Sequence, residues 1–179
     1  MTRSWEPGTF PPAETLLAIL TLAAIPQALA TRLSTHLSGG IAVGPGSVPD
    51  LPGFEWLRGV ALPLQAGRWE RSAGVYDPRQ RRIGVGSAPS PSVSVCGHEI
   101  GHATDHMDRL PSHSPFWTGL HTRTRDRLRP PYRDDVTELF AEAFACVLTR
   151  RATRLLHLIG EESEAEHVYH RLSGQYGIG

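Results

Sequence analysis

The spacing of apolar residues changes along the chain, from short extended runs in the first half to helical repeats in the second. From Val93 onward, apolar residues recur every three or four positions, which indicates amphipathic helices. The second half of the chain is therefore predicted to be helical. The predicted helices run from about Ser92 to Met107, Ser114 to Leu128, Val136 to Leu148 and Glu161 to Leu172.

Extended runs precede these helices. Residues 41–43 are predicted as a short strand, and residues 74–76 and 82–86 flank a sequence suited to a tight turn, Asp77-Pro78-Arg79-Gln80. The second and third runs therefore predict a β-hairpin. Strands followed by helices are typical of an α+β domain, which is the fold class that the sequence predicts.

The N-terminal region has a long apolar segment at residues 15–30. It resembles the core of a signal peptide, but Glu6 and Glu14 precede it and Pro26 interrupts it. It is also too short to span a bilayer, so no stable membrane insertion is predicted. We interpret the segment as two amphipathic helices broken at Pro26. Residues 1–12, rich in Pro and Gly, are predicted as a loose arm, and residues 13–179 as a single domain.

The composition adds little beyond size and charge balance. A chain of 179 residues fits one domain, and its 18 Lys and Arg balance 18 Asp and Glu. This balance favours neither nucleic acid nor an anionic membrane as a partner. The protein is also predicted to be a monomer. Cys96 and Cys146 lie among apolar residues, which favours two buried thiols over a disulfide.

The segment His98-Glu99-Ile100-Gly101-His102 carries the clearest chemistry. Histidines four apart on a helix project from one face and can bind one metal ion through their nitrogens. Glu99 lies beside them, where a carboxylate can take a proton from a metal-bound water and pass it to a leaving amine. Gly101 and Ala103 leave room for another element to pack closely. The motif therefore predicts a hydrolytic zinc site.

Such a site needs a third protein ligand, and three residues compete for that role. Glu138 lies on an apolar helix, where a buried carboxylate needs a charged partner or a metal ion. The alternative is that Glu138 and Glu142 form a solvent-exposed stripe on that helix. Asp108 has the position of the last ligand in the pattern HExxHxxGxxH, but that pattern requires Gly at Asp105 and a later Met-turn. His106 follows His102 by one helical turn, but its neighbours on the helix leave no room for a third metal ligand on the side of His98 and His102. We choose Glu138.

Two further acids are candidates for supporting the ligands. Glu142 lies one turn after Glu138, where it can reach the second nitrogen of a ligand histidine and fix the orientation of the ring. Asp105 is a similar candidate, with an acid on the helix surface as the alternative. These residues complete a predicted site of the gluzincin type, with zinc on His98, His102 and Glu138.

Four segments, residues 74–78, 82–86, 98–105 and 138–144, match the motifs of a known family. Over roughly residues 36 to 150 the chain resembles the metallopeptidases similar to anthrax lethal factor, which include the bacterial Pro-Pro endopeptidases. The resemblance implies a compact zincin fold, in which a small twisted sheet covers the metal helix and a second helix bears the glutamate ligand.

The resemblance also implies how substrate binds. In the family, an extended peptide pairs with an edge strand above the metal, for which residues 83–86 are the candidate here, from Ile83 to Gly86. The loops 44–72 and 109–135 are expected to line the groove. The family places a tyrosine near the metal to stabilise the oxyanion. The matching position here is Pro131, so Tyr132 is the candidate.

The predicted function is zinc-dependent hydrolysis of peptide bonds by an endopeptidase. One alternative is an effector or toxin protease with a single protein target, since the resemblance implies secretion or delivery and the sequence has no clear signal peptide. A second alternative is a zinc-binding interaction domain without catalysis.

Overall fold

The predicted strands and helices occur in the predicted order, together with one strand and one helix that the sequence does not predict. The computed structural model describes residues 1–62 and 67–179. The prediction of an α+β fold is confirmed. The strands are β1 (Thr2–Arg3), β2 (Gly40–Val43), β3 (Gly74–Asp77) and β4 (Arg82–Val85), and the helices are α1 (Ala13–Ala23), α2 (Gln27–His36), α3 (Val95–Met107), α4 (Pro115–Thr124), α5 (Val136–Leu148), α6 (Ala152–Ile159) and α7 (Glu162–Tyr176).

The described strands form one mixed sheet in the order β1-β2-β4-β3. The predicted hairpin is present, because β3 pairs with β4 in antiparallel register, with Tyr76 opposite Ile83. On its other side β4 pairs in parallel with β2, with Ile41 opposite Ile83. The hairpin is thus extended by a strand from the earlier part of the chain.

The prediction that Ile83 to Gly86 forms an exposed edge is wrong. Strand β4 has a partner on each side, and Ile83 and Val85 are buried. The hairpin pattern indicates two paired strands but does not indicate which of them a third strand covers. Because β2 covers β4, the open edge of the hairpin is β3.

The N-terminal region is tied to the sheet at its start. Thr2 and Arg3 pair with Ala42 and Val43, so the predicted arm is not loose along its whole length. The two predicted helices are present as α1 and α2, with Pro26 as the N-cap of the second. Among the described residues no single helix is long and apolar enough to cross a membrane. Helices α1 and α2 reach that length and composition only together, and they are bent by 107°.

Close packing of α3 against α5 brings the candidate ligands together. A Cβ on Gly101 would lie 2.8 Å from Cα of Ala141, and one on Gly97 would lie 3.2 Å from Cα of Ala145. The distance at Gly101 leaves no space for a side chain, and the distance at Gly97 makes a tight contact. The glycines of α3 therefore allow α3 and α5 to pack closely, as expected from the small side chain at Gly101.

Two helical segments differ from the predictions. The helix predicted from Ser114 to Leu128 ends at Thr124 and is followed by one 3-10 turn, Arg125–Arg127. Helix α6 is not predicted by the sequence, because it is only 8 residues long and directly precedes α7. It ends at Gly160, which has a φ of 79°.

Candidate metal centre

N-cap side chains fix the residues at which α3 and α5 begin, and so the positions of the candidate ligands along each helix. The Ser94 hydroxyl accepts a hydrogen bond from the Gly97 N–H (3.1 Å) and begins α3. The Asp135 carboxylate accepts from the Thr137 N–H (2.8 Å) and begins α5. Glu138 therefore lies in the first turn of α5, facing the middle of α3.

The structure brings together the three candidate ligands chosen from the sequence. Nε2 of His98 lies 3.1 Å from Nε2 of His102. The Glu138 carboxylate lies 3.3 Å from the first nitrogen and 3.4 Å from the second. One ligand atom from each residue lies within 4.8 Å of the others, a spacing that can hold a metal ion. Two imidazoles and one carboxylate form a donor set that suits catalytic zinc.

The electrostatics of this cluster favour a cation. Burial lowers the pKa of His98, but hydrogen bonds with Glu138 and Glu142 outweigh this effect and raise it to about 10. Burial acts to raise the pKa of Glu138, whereas hydrogen bonds with His102 and His98 lower it overall. The surroundings thus stabilise positive charge where the ligand atoms converge, so the residues fit a metal ion.

Glu99 is buried beside the ligands in a cleft of about 590 Å³. Burial raises the pKa of its carboxyl group, whereas the nearby His98 and His102 lower it. A carboxyl group whose pKa is raised is suited to exchanging protons near neutral pH.

Both loops that were expected to line the groove contribute to the cleft, although residues 63–66 lie outside the described residues. The lining residues from these loops are Leu62, Trp69, Arg71, Ser72, Leu110, Pro130, Pro131, Tyr132 and Asp135.

Glu142 lies where the sequence predicts support for a ligand histidine. Its Oε2 is 3.1 Å from Nδ1 of His98, and its Oε1 accepts a hydrogen bond from the Val93 N–H (2.8 Å). The first contact fixes the imidazole ring, and the second joins α5 to the segment before α3.

Asp105 is buried and is bonded away from the ligands. Its carboxylate accepts hydrogen bonds from the N–H (2.8 Å) and the hydroxyl (2.7 Å) of Ser112. These bonds tie the turn after α3 back to the helix. The alternative of an acid on the helix surface does not hold, because only 2% of Asp105 is exposed.

The two rejected ligands have other partners. Asp108 forms an ion pair with Arg32. Nδ1 of His106 lies 2.7 Å from the hydroxyl of Tyr76. Neither residue is part of the ligand cluster.

Tyr132 lines the cleft. Burial raises the pKa of its phenol, and the negative charges of Glu142 and Glu138 raise it further. The main-chain carbonyl of Tyr132 accepts a hydrogen bond from Nε2 of His121 (3.0 Å). Its predicted contact with an oxyanion stays a prediction.

The fold of the chain is similar to that of a solved structure. The chain is similar to a Pro-Pro endopeptidase from Paenibacillus alvei, with a TM-score of 0.70 over 97% of each chain and 18% sequence identity. This similarity and the observed strands and helices confirm the predicted compact α+β fold. No family model and no curated protein sequence matches the chain.

Sequence reasoning missed two groups near the site. Gly74 lies against Glu99, and the hydroxyl of Tyr76 lies between His36 and His106. The available signal was the alternation of side chains along β3, which places Gly74 and Tyr76 on one face. The residues that this face contacts come from distant segments, and the local pattern does not indicate them.

Proposed function

We propose that this chain is a zinc-dependent endopeptidase of the gluzincin type. His98, His102 and Glu138 hold the metal, and Glu99 is the general base. The observation that carries the proposal is the convergence of three ligand atoms within 4.8 Å, beside a buried carboxylate, in an open cleft. The similarity in fold to an endopeptidase supports the same assignment.

The residues of the chain divide the work of hydrolysis between them. When bound, zinc supplies a Lewis acid that polarises a carbonyl and lowers the pKa of water. Glu99 takes the proton of the attacking water and transfers it to the leaving amine, a role that its raised pKa favours. Glu142 keeps the His98 ring in place through Nδ1. The hydroxyl of Tyr132 donates a hydrogen bond to the oxyanion that forms on the scissile carbonyl.

The substrate is an extended peptide that lies along the open edge of β3. This strand borders the cleft from Gly74 to Tyr76, next to Glu99. An edge strand offers main-chain donors and acceptors to any extended peptide, so pairing gives affinity without requiring a particular side chain.

Cleavage of a peptide library with and without a chelator tests this function. The library should include Pro-Pro bonds, since the structural neighbour is a Pro-Pro endopeptidase. We expect wild-type protein to cleave internal bonds, to lose activity with chelator and to regain it with zinc. Glu99→Gln should bind zinc as tightly as wild type and show no turnover.

The alternatives give different results. Hydrolysis by Glu99→Gln at the wild-type rate would exclude Glu99 as the base. Zinc binding without cleavage of any peptide would support an interaction domain. Cleavage of one protein from a mixture, but of no library peptide, would support an effector with a single target.

A further inference from the structure

The main-chain groups of β3 alternate between the neighbouring strand and the open edge. The Gly86 N–H donates a hydrogen bond to the Ala73 carbonyl, and Val75 is opposite Gly84. In an antiparallel pair, the residues between two hydrogen-bonded positions direct both main-chain groups away from the partner strand. Gly74 and Tyr76 are such residues. Their N–H and carbonyl groups therefore face the edge that borders the cleft.

The Glu99 carboxylate lies against this part of β3. A Cβ on Gly74 would lie 2.5 Å from Oε1 of Glu99 and 2.5 Å from Cγ1 of Val95, closer than atoms can approach. The absence of a side chain at residue 74 thus leaves the space that the Glu99 carboxylate occupies.

The reason for glycine at residue 74 is space rather than backbone conformation. Gly74 is not among the glycines with positive φ, so its backbone is accessible to any residue. The side-chain face of β3 at this point is filled by the carboxylate of Glu99 and the side chain of Val95. A larger residue would have to move one or both of them.

The side chain of Tyr76 fixes the same strand to two helices. Its hydroxyl lies 2.8 Å from Nε2 of His36 on α2 and 2.7 Å from Nδ1 of His106 on α3. A hydroxyl has one hydrogen, so one imidazole accepts from Tyr76 and the other donates to it. This arrangement limits movement of β3 relative to α3, the helix that carries Glu99.

We propose that Gly74 and Tyr76 are positioning residues for the general base Glu99. Gly74 leaves the space for the Glu99 carboxylate, and the Tyr76 hydroxyl holds the strand in place. The inference rests on the proposed function, in which Glu99 moves the proton. Position matters for such a group because a displacement of about 1 Å can reduce the rate about 100-fold.

Substitution of Gly74 tests the proposal, with Gly84 as a matched control on the neighbouring strand. A Cβ on Gly84 would lie 2.8 Å from the ring of Phe54, so this substitution also crowds the sheet, but away from Glu99. Gly74→Ala should reduce kcat about 100-fold with KM changed less than about twofold. Zinc affinity should be unchanged. Gly84→Ala should lower the melting temperature while the folded protein keeps its kcat.

Two further variants separate the contact with Glu99 from other effects. In Gly74→Ala/Val95→Ala the crowding against Val95 is removed, and we expect the loss of kcat to persist. Tyr76→Phe removes the hydroxyl that contacts His36 and His106, and it should reduce kcat without loss of zinc. This variant also tests the proposal if Gly74→Ala does not fold.

Several outcomes would overturn the inference. Wild-type kcat in Gly74→Ala, or its recovery in the double variant with Val95→Ala, would show that Gly74 does not position Glu99. An increase in KM alone, matched by weaker binding of an uncleaved peptide in the Glu99→Gln background, would assign Gly74 to substrate approach instead. If wild-type protein cleaves no peptide, the proposed function itself fails, a result distinct from active wild type with an equally active Gly74→Ala.

Discussion

Oε2 of Glu142 lies 3.1 Å from Nδ1 of His98, the ring nitrogen that does not face Glu138 and His102. A carboxylate at this nitrogen holds the N–H there, so Nε2 is the nitrogen that is directed towards Glu138 and His102 and would bind a metal ion. Because Glu142 also accepts from the Val93 N–H, its own position is fixed by the chain that leads into α3. The imidazole is therefore oriented by the protein.

Replacement of Glu142 by Ala should weaken zinc binding about 10- to 100-fold, because the His98 ring loses the group that fixes its tautomer and orientation. Competition with a chelator of known affinity measures the effect. Glu166→Ala is the control, since Glu166 is exposed on α7. Equal zinc affinity in wild type and Glu142→Ala would contradict the role of this carboxylate.

The cluster of candidate ligands could be predicted from the sequence, because it depends on the spacing of residues along a helix and on the apolar repeat. Residues four apart on a helix share a face, which relates His98 to His102 and Glu138 to Glu142. The apolar repeat also gave the bounds of α5, Val136–Leu148, as observed. Both helices bury small residues where they meet, and that requirement is visible in the motif itself.

Features that depend on pairing between distant segments could not be predicted in this way. The edge of the sheet is decided by β2, which pairs with β4 across a long stretch of chain. The hydroxyl of Tyr76 meets His36 and His106, which come from separate helices. The spacing of Asp105 along α3 is also compatible with a contact to a ligand histidine. It accepts hydrogen bonds from Ser112 instead, because the turn after α3 folds back on the helix.

Replacement of Tyr132 by Phe tests the predicted oxyanion contact. If the hydroxyl donates to the developing charge only in the transition state, kcat should fall about 100-fold with KM nearly unchanged. Steady-state kinetics on one cleaved peptide measures both constants. Tyr169→Phe on α7 is the control, because this tyrosine does not line the cleft. A Tyr132→Phe variant with wild-type kcat would exclude the role.

Replacement of Asp105 by Ala should destabilise the protein without changing zinc affinity. The variant leaves the Ser112 N–H and hydroxyl without their acceptor, and Ser112 is fully buried. We expect the free energy of unfolding to fall by about 2 kcal/mol. Urea unfolding of the metal-free protein measures this loss. Asp105→Asn keeps one acceptor and should lose less. Weaker zinc binding by Asp105→Ala at unchanged stability would instead support contact with a ligand histidine.

Asp50 should contribute to stability in a pH-dependent way. Hydrogen bonds with the Ser47 side chain and then Arg58 are the main causes that lower the pKa of Asp50 from 3.8 to about 2. A lowered carboxyl pKa means that the folded state favours the charged form. Asp50 therefore stabilises the folded protein at pH values above its unfolded-state pKa of 3.8, and this stabilisation is lost as the pH falls towards its folded-state pKa of about 2.

Unfolding measured between pH 5 and about 2 checks this prediction. The difference in unfolding free energy between wild type and Asp50→Asn should shrink as pH falls through this range. Asp126→Asn, an exposed substitution in the turn after α4, controls for the general effect of acid. A difference that does not depend on pH would contradict the assignment.

Cys96 and Cys146 should be unreactive in the folded protein. Both are free and buried, and burial raises the pKa of each thiol to about 12. A thiol reagent reacts with the thiolate, so neither access nor ionisation favours reaction at pH 8. We expect no thiol to be titrated in native protein and both to be titrated after unfolding in guanidinium, with or without prior reduction. If unfolded protein that has not been reduced shows no free thiol, the two residues form a disulfide. Rapid labelling of native protein would instead show that α3 and α5 separate readily, which their close contact at Gly101 and Ala141 argues against.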